Sequence, residues 1–163
     1  MHWRARTILA LEPAVTTSMT TDWRSHLVED DEGIQRVLRN TRRIAVLGIK
    51  MESAQPAYYV PEYAKRIGLE VVPVPVYYPD ATEILGAPVY RRVSDIPGDV
   101  DMVNVFRRPH DIPQHVDDII AKRPKSVWFQ LGIRNDDAAE RLARAGIDVI
   151  QDRCLMVELQ HAR

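Results

Sequence analysis

Apolar residues along this chain come in short runs separated by stretches of helical spacing, and the alternation begins at Ile44. Runs at residues 44–47, 71–74, 102–106, 127–131 and 149–150 read as buried strands. They start at 44, 71, 102, 127 and 149, so consecutive starts are 22 to 31 residues apart, room for a strand, a crossover and two loops. This predicts an α/β domain, a five-stranded parallel sheet with helices on both faces.

The crossovers carry their own signals. Ile112, Val116, Ile119 and Ile120 form one apolar stripe, with Pro113 in the first turn and Pro124 beyond the end. Asn135 is placed as an N-cap, Asp136 and Asp137 suit the positive end of the dipole, and Gly146 closes that helix. Pro56 opens a helix on which Tyr59, Tyr63 and Ile67 share a face, Gly68 ends it, and Pro61 is expected to delay its start. Ile34, Val37 and Leu38 predict a short helix that ends near Asn40 and packs on the sheet edge. Pro79, Gly86, Pro88, Pro97 and Gly98 break residues 77–100, leaving a short edge strand at Val89 and Tyr90 and a helical turn near Ser94. Residues 1–21 show no sustained periodicity and are expected to be a disordered leader, with residues 22–163 as the single domain.

Composition narrows the partners. Twenty-two Lys plus Arg against twenty-three Asp plus Glu give a net charge of -1, so no global field holds a nucleic-acid backbone or an anionic membrane, and any anion site is local. The longest apolar runs are about six residues, too short to span a bilayer. The single Cys154 can form neither an internal disulfide nor a thiolate cluster, which points to the cytoplasm.

In an open parallel sheet, ligands bind beyond the carboxyl ends of the strands where strand order reverses. The residues that follow the strands are Gly48-Ile49-Lys50, Pro75-Val76-Tyr77-Tyr78, Phe106-Arg107-Arg108, Gln130 to Asn135, and Asp152-Arg153-Cys154. Several are cationic, and others sit where helix N-termini offer N–H groups, which suits a phosphate-bearing ligand.

Over about residues 43–161 the chain resembles the small stand-alone CoA-binding proteins, whose domain is also the N-terminal part of the succinyl-CoA ligase alpha subunit. The resemblance rests on Ile44-Ala45-Val46-Leu47-Gly48, Val71-Val72-Pro73-Val74, Glu83-Ile84-Leu85-Gly86, Asp95-Ile96-Pro97, the stretch from Val100 to Arg108, the stretch from Val127 to Asn135, and Asp152-Arg153-Cys154, in that order. It implies a Rossmann-like sheet with coenzyme A, or an acyl-CoA, across the strand ends. By position, Gly48, Ile49 and Lys50 would face the diphosphate, Val74 and Pro75 would border the adenine or ribose, and Phe106, Arg107, Gln130 and Gly132 would line the pantetheine path. Tyr77 could stack on the adenine. Two positions depart from the family's pattern. The first loop, Gly48-Ile49-Lys50-Met51-Glu52-Ser53, lacks the small residue that usually follows a Gly-Ala or similar pair, where Lys50 supplies charge, and Pro73-Val74-Pro75-Val76 lacks the usual asparagine.

Other residues admit plainer readings. Cys154 has no assignable base and reads as a structural thiol. His110 and His115 are five apart, not the i, i+4 spacing of a helical metal pair. Asn104 in a buried strand needs a hydrogen-bond partner, and Trp128 and Phe129 read as core. No acid–base pair can be assembled from the loops, and 163 residues leave no room for the phosphohistidine and nucleotide-grasp domains of a ligase. The expectation is a module that binds CoA without catalysis and takes neither nucleic acid nor membrane, a protein partner remaining open. The alternatives are a nucleotide- or NAD(P)-binding enzyme, which lacks the full G-x-G-x-x-G and an acid after strand two, and a regulatory or protein-interaction module that no longer binds CoA.

Overall fold

The continuous apolar runs do form strands, and each is buried on both faces because helices cover both sides of the sheet. The structure, a computed structural model, describes residues 22–162; the leader expected over residues 1–21 lies outside them. In chain order the elements are α1 (Asp31–Arg39), β1 (Arg43–Leu47), α2 (Pro56–Arg66), β2 (Glu70–Val74), β3 (Glu83–Ile84), β4 (Ala87–Pro88), β5 (Met102–Val105), α3 (Pro113–Lys122), β6 (Ser126–Gln130), α4 (Asp136–Arg144), β7 (Asp148–Arg153) and α5 (Leu155–His161).

Five strands pair in parallel in the order β2-β1-β5-β6-β7, a Rossmann-like α/β arrangement. The chain moves outward from β1 to β2 and then returns to the other side of β1, so the strand order reverses between β1 and β5. Alternate side chains separate into two cores. Ala45, Leu47, Val103, Val105, Val127 and Phe129 meet α3 and α4 on one face. Ile44, Val46, Met102, Trp128 and Ile150 meet α1, α2 and α5 on the other.

The caps follow the sequence closely. Asn135 accepts the Ala138 N–H at 3.0 Å and starts α4. A 3-10 turn at Val93–Asp95 falls where a turn near Ser94 is expected, and Asp118 of α3 accepts the Val93 N–H at 2.8 Å to hold it.

Four expectations need correction. Helix α1 lies on a face of the sheet and not at its edge: Ile34 is fully buried in the cluster that includes Trp128 and Ile150. Helix α2 starts at Pro56 without delay, and Pro61 sits inside it. Its buried residues are Ala57, Val60, Pro61 and Ala64; Tyr63 and Ile67 pack partly buried against the same cluster as expected, while Tyr59 stays 37% exposed. Small side chains let the helix approach the sheet, and Tyr59 is left at the margin. The edge strand expected at Val89 and Tyr90 is displaced to a β3–β4 ribbon just upstream. Leu85 (φ 53°) and Gly86 (φ 75°) both take the left-handed conformation of a two-residue hairpin turn, and Tyr90 N–H instead caps Pro73 O at 3.0 Å. Helix α5 carries no expectation at all. Among the described residues no helix is long and apolar enough to cross a membrane.

The assignment of the α2 face is testable. Val60→Ala is expected to destabilise the fold by about 2 kcal/mol, two methyl groups plus the cavity they leave. Tyr59→Ala should cost less than about 1 kcal/mol. Urea denaturation of both variants measures the difference.

Candidate functional site

The sheet delivers its first loop to the point where strand order reverses, and hydrogen bonds hold it there on both sides. Phe106 N–H donates to Leu47 O at 2.8 Å, and Gly48 N–H donates to Val74 O at 2.9 Å. Gly48 has φ +85°, and a Cβ at that position would stand 2.3 Å from Phe106 O, so glycine is required both by conformation and by the approach of the β5 loop. Ile49 is fully buried and anchors the loop beneath the surface. Pro61 has no N–H to offer the Ala57 carbonyl one turn back, and Lys50 N–H donates to that carbonyl at 3.2 Å instead. The internal proline of α2 thereby ties the helix to the loop.

The loop after β2 is fixed from two directions. Arg91 donates to the carbonyls of Tyr77, Tyr78, Pro79 and Ala81. Tyr78, at φ 60°, donates its hydroxyl to Glu52 and accepts the Met51 N–H at 3.3 Å, joining this loop to the first one. The Tyr78 hydrogen bond holds the Glu52 carboxyl below its usual range, so Glu52 stays anionic.

Between the first loop, the β5 loop and the β6 loop lies a cleft of about 360 Å³. Lys50, Arg107 and Arg108 supply its charge, Gln55 and Gln130 its amides, and Phe106, Pro109, Leu131 and Ile133 much of its apolar surface, with no carboxylate in the lining among the described residues. The N-terminal residues of α2, Pro56 and Ala57, complete the wall, so the positive end of that helix faces the cleft.

The three cations differ in how they are held. Arg108 is exposed and pairs with Asp111 at 3.0 Å. The Arg107 side chain is only 9% exposed; its Nε donates to His115 Nε2 at 3.1 Å, and Asp111 lies 3.9 Å from Nη2. Burial, and then the neighbouring Arg107, depress the His115 pKa, so the imidazole is neutral and accepts through Nε2. Lys50 enters no hydrogen bond or ion pair through its ammonium among the described residues.

Of the expected site residues, Lys50, Phe106, Arg107, Gln130 and Gly132 come together in this cleft. Gly48, Ile49, Val74 and Pro75 are buried and shape the ground on which the loops stand. Tyr77 is 53% exposed and lies outside the cleft lining. Gly132 N–H is already taken by Asp152 Oδ1 at 2.7 Å, with Asp152 held at φ 56°. What Gly132 offers a ligand is open space, since a Cβ there would meet nothing within 4 Å. Sequence reasoning missed the structural roles of Arg91 and Asp152 and the exposed apolar rim at Leu131. A long-range arginine clamp and a non-glycine left-handed residue leave no local signal.

Asn104 finds its partners in Trp128 O and Gln130 Oε1. Cys154 is partly buried against the core that contains Trp128 and does not line the cleft. A second hollow, of about 500 Å³, lies against β7 between Glu29, Arg134 and Arg153. Its lining includes the carboxylates of Glu29 and Asp152, and its arginines pair with Asp136 at 3.1 Å and Glu158 at 3.4 Å, so the strand-end cleft, whose described lining residues carry no acid, is the better anion site.

Residues 42–160 match a family model described as a CoA binding domain. The protein YneT of Bacillus subtilis (strain 168) is 31% identical over 124 residues, which cover 76% of this chain and 90% of that protein. A solved structure from Thermus thermophilus shares 36% identity with a TM-score of 0.76, covering 83% of this chain and 100% of the other. A hypothetical protein from Pyrococcus horikoshii OT3 shares 31% identity with a TM-score of 0.76, covering 82% and 92% respectively.

Two outcomes follow from the packing of this site. Gly48→Ala is expected to destabilise the chain by at least about 2 kcal/mol in urea denaturation, because strain at positive φ adds to the clash with Phe106 O. His115 remains neutral in the folded chain at pH values where the unfolded chain already takes up a proton. Stability should therefore fall as pH drops below about 6.5 and be insensitive to this group above it. His115→Gln removes that part of the slope, which melting curves between pH 7.5 and 5.5 would record.

Proposed function

The chain belongs to the CoA-binding domain family, and on that premise we propose that it holds coenzyme A or an acyl-CoA in the strand-end cleft and performs no reaction of its own. The observation that carries this reading is the lining itself: Lys50, Arg107 and Arg108 at the point of strand reversal, with no carboxylate beside them among the described lining residues. Coenzyme A brings phosphates for the cations and the α2 N-terminus, and a long arm whose methylene groups suit Phe106, Leu131 and Ile133.

A binding role without catalysis is supported by how the reactive groups are used. The His115 nitrogen that could act as a base already accepts from Arg107, and Cys154 stands outside the cleft. A single thiol also suits work in a reducing compartment.

Isothermal titration tests the reading. Wild-type protein should give saturable heat with coenzyme A, weakening as salt is raised. Lys50→Ala and Arg107→Ala should each lower affinity about tenfold or more, the usual loss for a charge-assisted hydrogen bond. Neither heat nor a thermal shift at millimolar coenzyme A would refute the proposal. Silence extending to acyl-CoAs, NAD, NADP and ATP would favour a protein-interaction module instead.

A further inference from the structure

A glutamine amide can face a ligand with either its oxygen or its nitrogen, and the two ends recognise opposite chemistry. At the floor of the cleft the fold makes the choice. Gln130 Oε1 lies 3.3 Å from Leu155 N and 3.4 Å from Asn104 Nδ2, two donors that approach from within the protein. Reversing the amide would set Nε2 against both donors and leave the Leu155 N–H without its acceptor. Asn104 is fixed in its turn, because its Nδ2 also donates to the backbone Trp128 O at 3.3 Å, and a reversed Asn104 would set oxygen against oxygen. The two backbone groups at the ends of this chain of hydrogen bonds therefore orient both amides.

One atom bears the cost. Asn104 Oδ1 is the only buried side-chain nitrogen or oxygen without a partner among the described residues. Gln130 Nε2 likewise donates to no described residue, yet it is not among the buried unpaired atoms, so it keeps access to solvent on a residue that lines the cleft. Lys50, Arg107 and Arg108 can only donate as well.

We infer that Asn104 and the Leu155 N–H lock the Gln130 carboxamide with its nitrogen toward the cleft, so that the cleft floor recognises a carbonyl oxygen of the ligand's arm. Asn104 is then a positioning residue that touches no ligand. The ligand half of this inference rests on the CoA reading, and the orientation half does not. The carbonyl belongs either to a pantetheine amide or to the thioester of an acyl group.

The test combines one readout without ligand and one with three ligands. In the unliganded protein, hydrogen exchange at the Leu155 amide should be at least about tenfold slower in the wild type than in Gln130→Met, which lacks the acceptor. Equal exchange would overturn the orientation whatever the protein binds. Titrations then compare coenzyme A, acetyl-CoA and adenosine 3′,5′-bisphosphate, which lacks the arm. Gln130→Met should weaken whichever ligand carries the recognised carbonyl, coenzyme A and acetyl-CoA alike or acetyl-CoA alone, about tenfold and leave the bisphosphate within about twofold. An equal loss for coenzyme A and acetyl-CoA assigns the oxygen to a pantetheine amide, and a loss confined to acetyl-CoA assigns it to the thioester. Asn104→Leu should melt at or above the wild-type temperature, because it removes an unpaired buried oxygen, and still weaken the ligand that carries the carbonyl. Combined with Gln130→Met it should add nothing further. Equal loss for the bisphosphate, or full additivity of the two substitutions, would overturn the positioning role. A protected Leu155 amide in a protein that binds none of the three ligands would uphold the orientation and overturn the CoA reading alone.

Discussion

The contact on which the site depends is the one between Gly48 and the Phe106 carbonyl, where a Cβ would stand 2.3 Å from the oxygen. Backbones come that close only where one of them has no side chain. The approach brings the loops after β1 and β5 side by side at the point where the sheet reverses its order, so Lys50 and Arg107 line one cleft. The buried Ile49 and the bond from Lys50 N–H to the Ala57 carbonyl then fix the loop's exit. Helix α2 can make that bond because Pro61 leaves the carbonyl free.

The same geometry explains how a chain of net charge -1 offers an anion site. Cations gather at the strand ends while the acids beside them stand back from the cleft. Asp111 bonds Arg108 and lies within 3.9 Å of Arg107 without entering the lining. A guanidinium as buried as that of Arg107 needs partners to offset its lost hydration. The neutral His115 supplies a hydrogen-bond acceptor without adding positive charge. Backbone donors are partly committed elsewhere, since Asp152 occupies the Gly132 N–H, and this shifts recognition onto side chains.

Much of the fold could be read from the sequence because both sheet faces are buried: four of the five sheet strands fall within one residue of the expected runs at each end, while β7 continues three residues past Ile150 through the polar Gln151, Asp152 and Arg153. Helix α4 was equally plain, since Asn135 and the aspartates after it act locally. Expectation failed where tertiary contacts decide. Tyr59 of α2 carries a large apolar surface, yet it stays exposed while small residues take the most buried positions, because backbone approach is what that interface rewards. The Leu85-Gly86 turn places a leucine at positive φ, where sequence gives no warning. Helix α5 is seven residues long with two buried positions, Leu155 and Leu159, too few to show a period. Within the site, residue types at the strand ends drew attention to the cations, and the family resemblance added Gln130. The cleft's depth, the clamp at Arg91 and the Asn104–Gln130–Leu155 chain depend on partners far apart in sequence.

The most direct test of a ligand held at the strand ends is an amide NMR titration with coenzyme A. The account predicts saturable shifts concentrated at Gly48, Ile49 and Lys50, at Phe106, Arg107 and Arg108, and from Gln130 to Ile133. Shifts concentrated instead around Glu29, Arg134 and Arg153, or a spectrum unchanged at millimolar ligand, would contradict it.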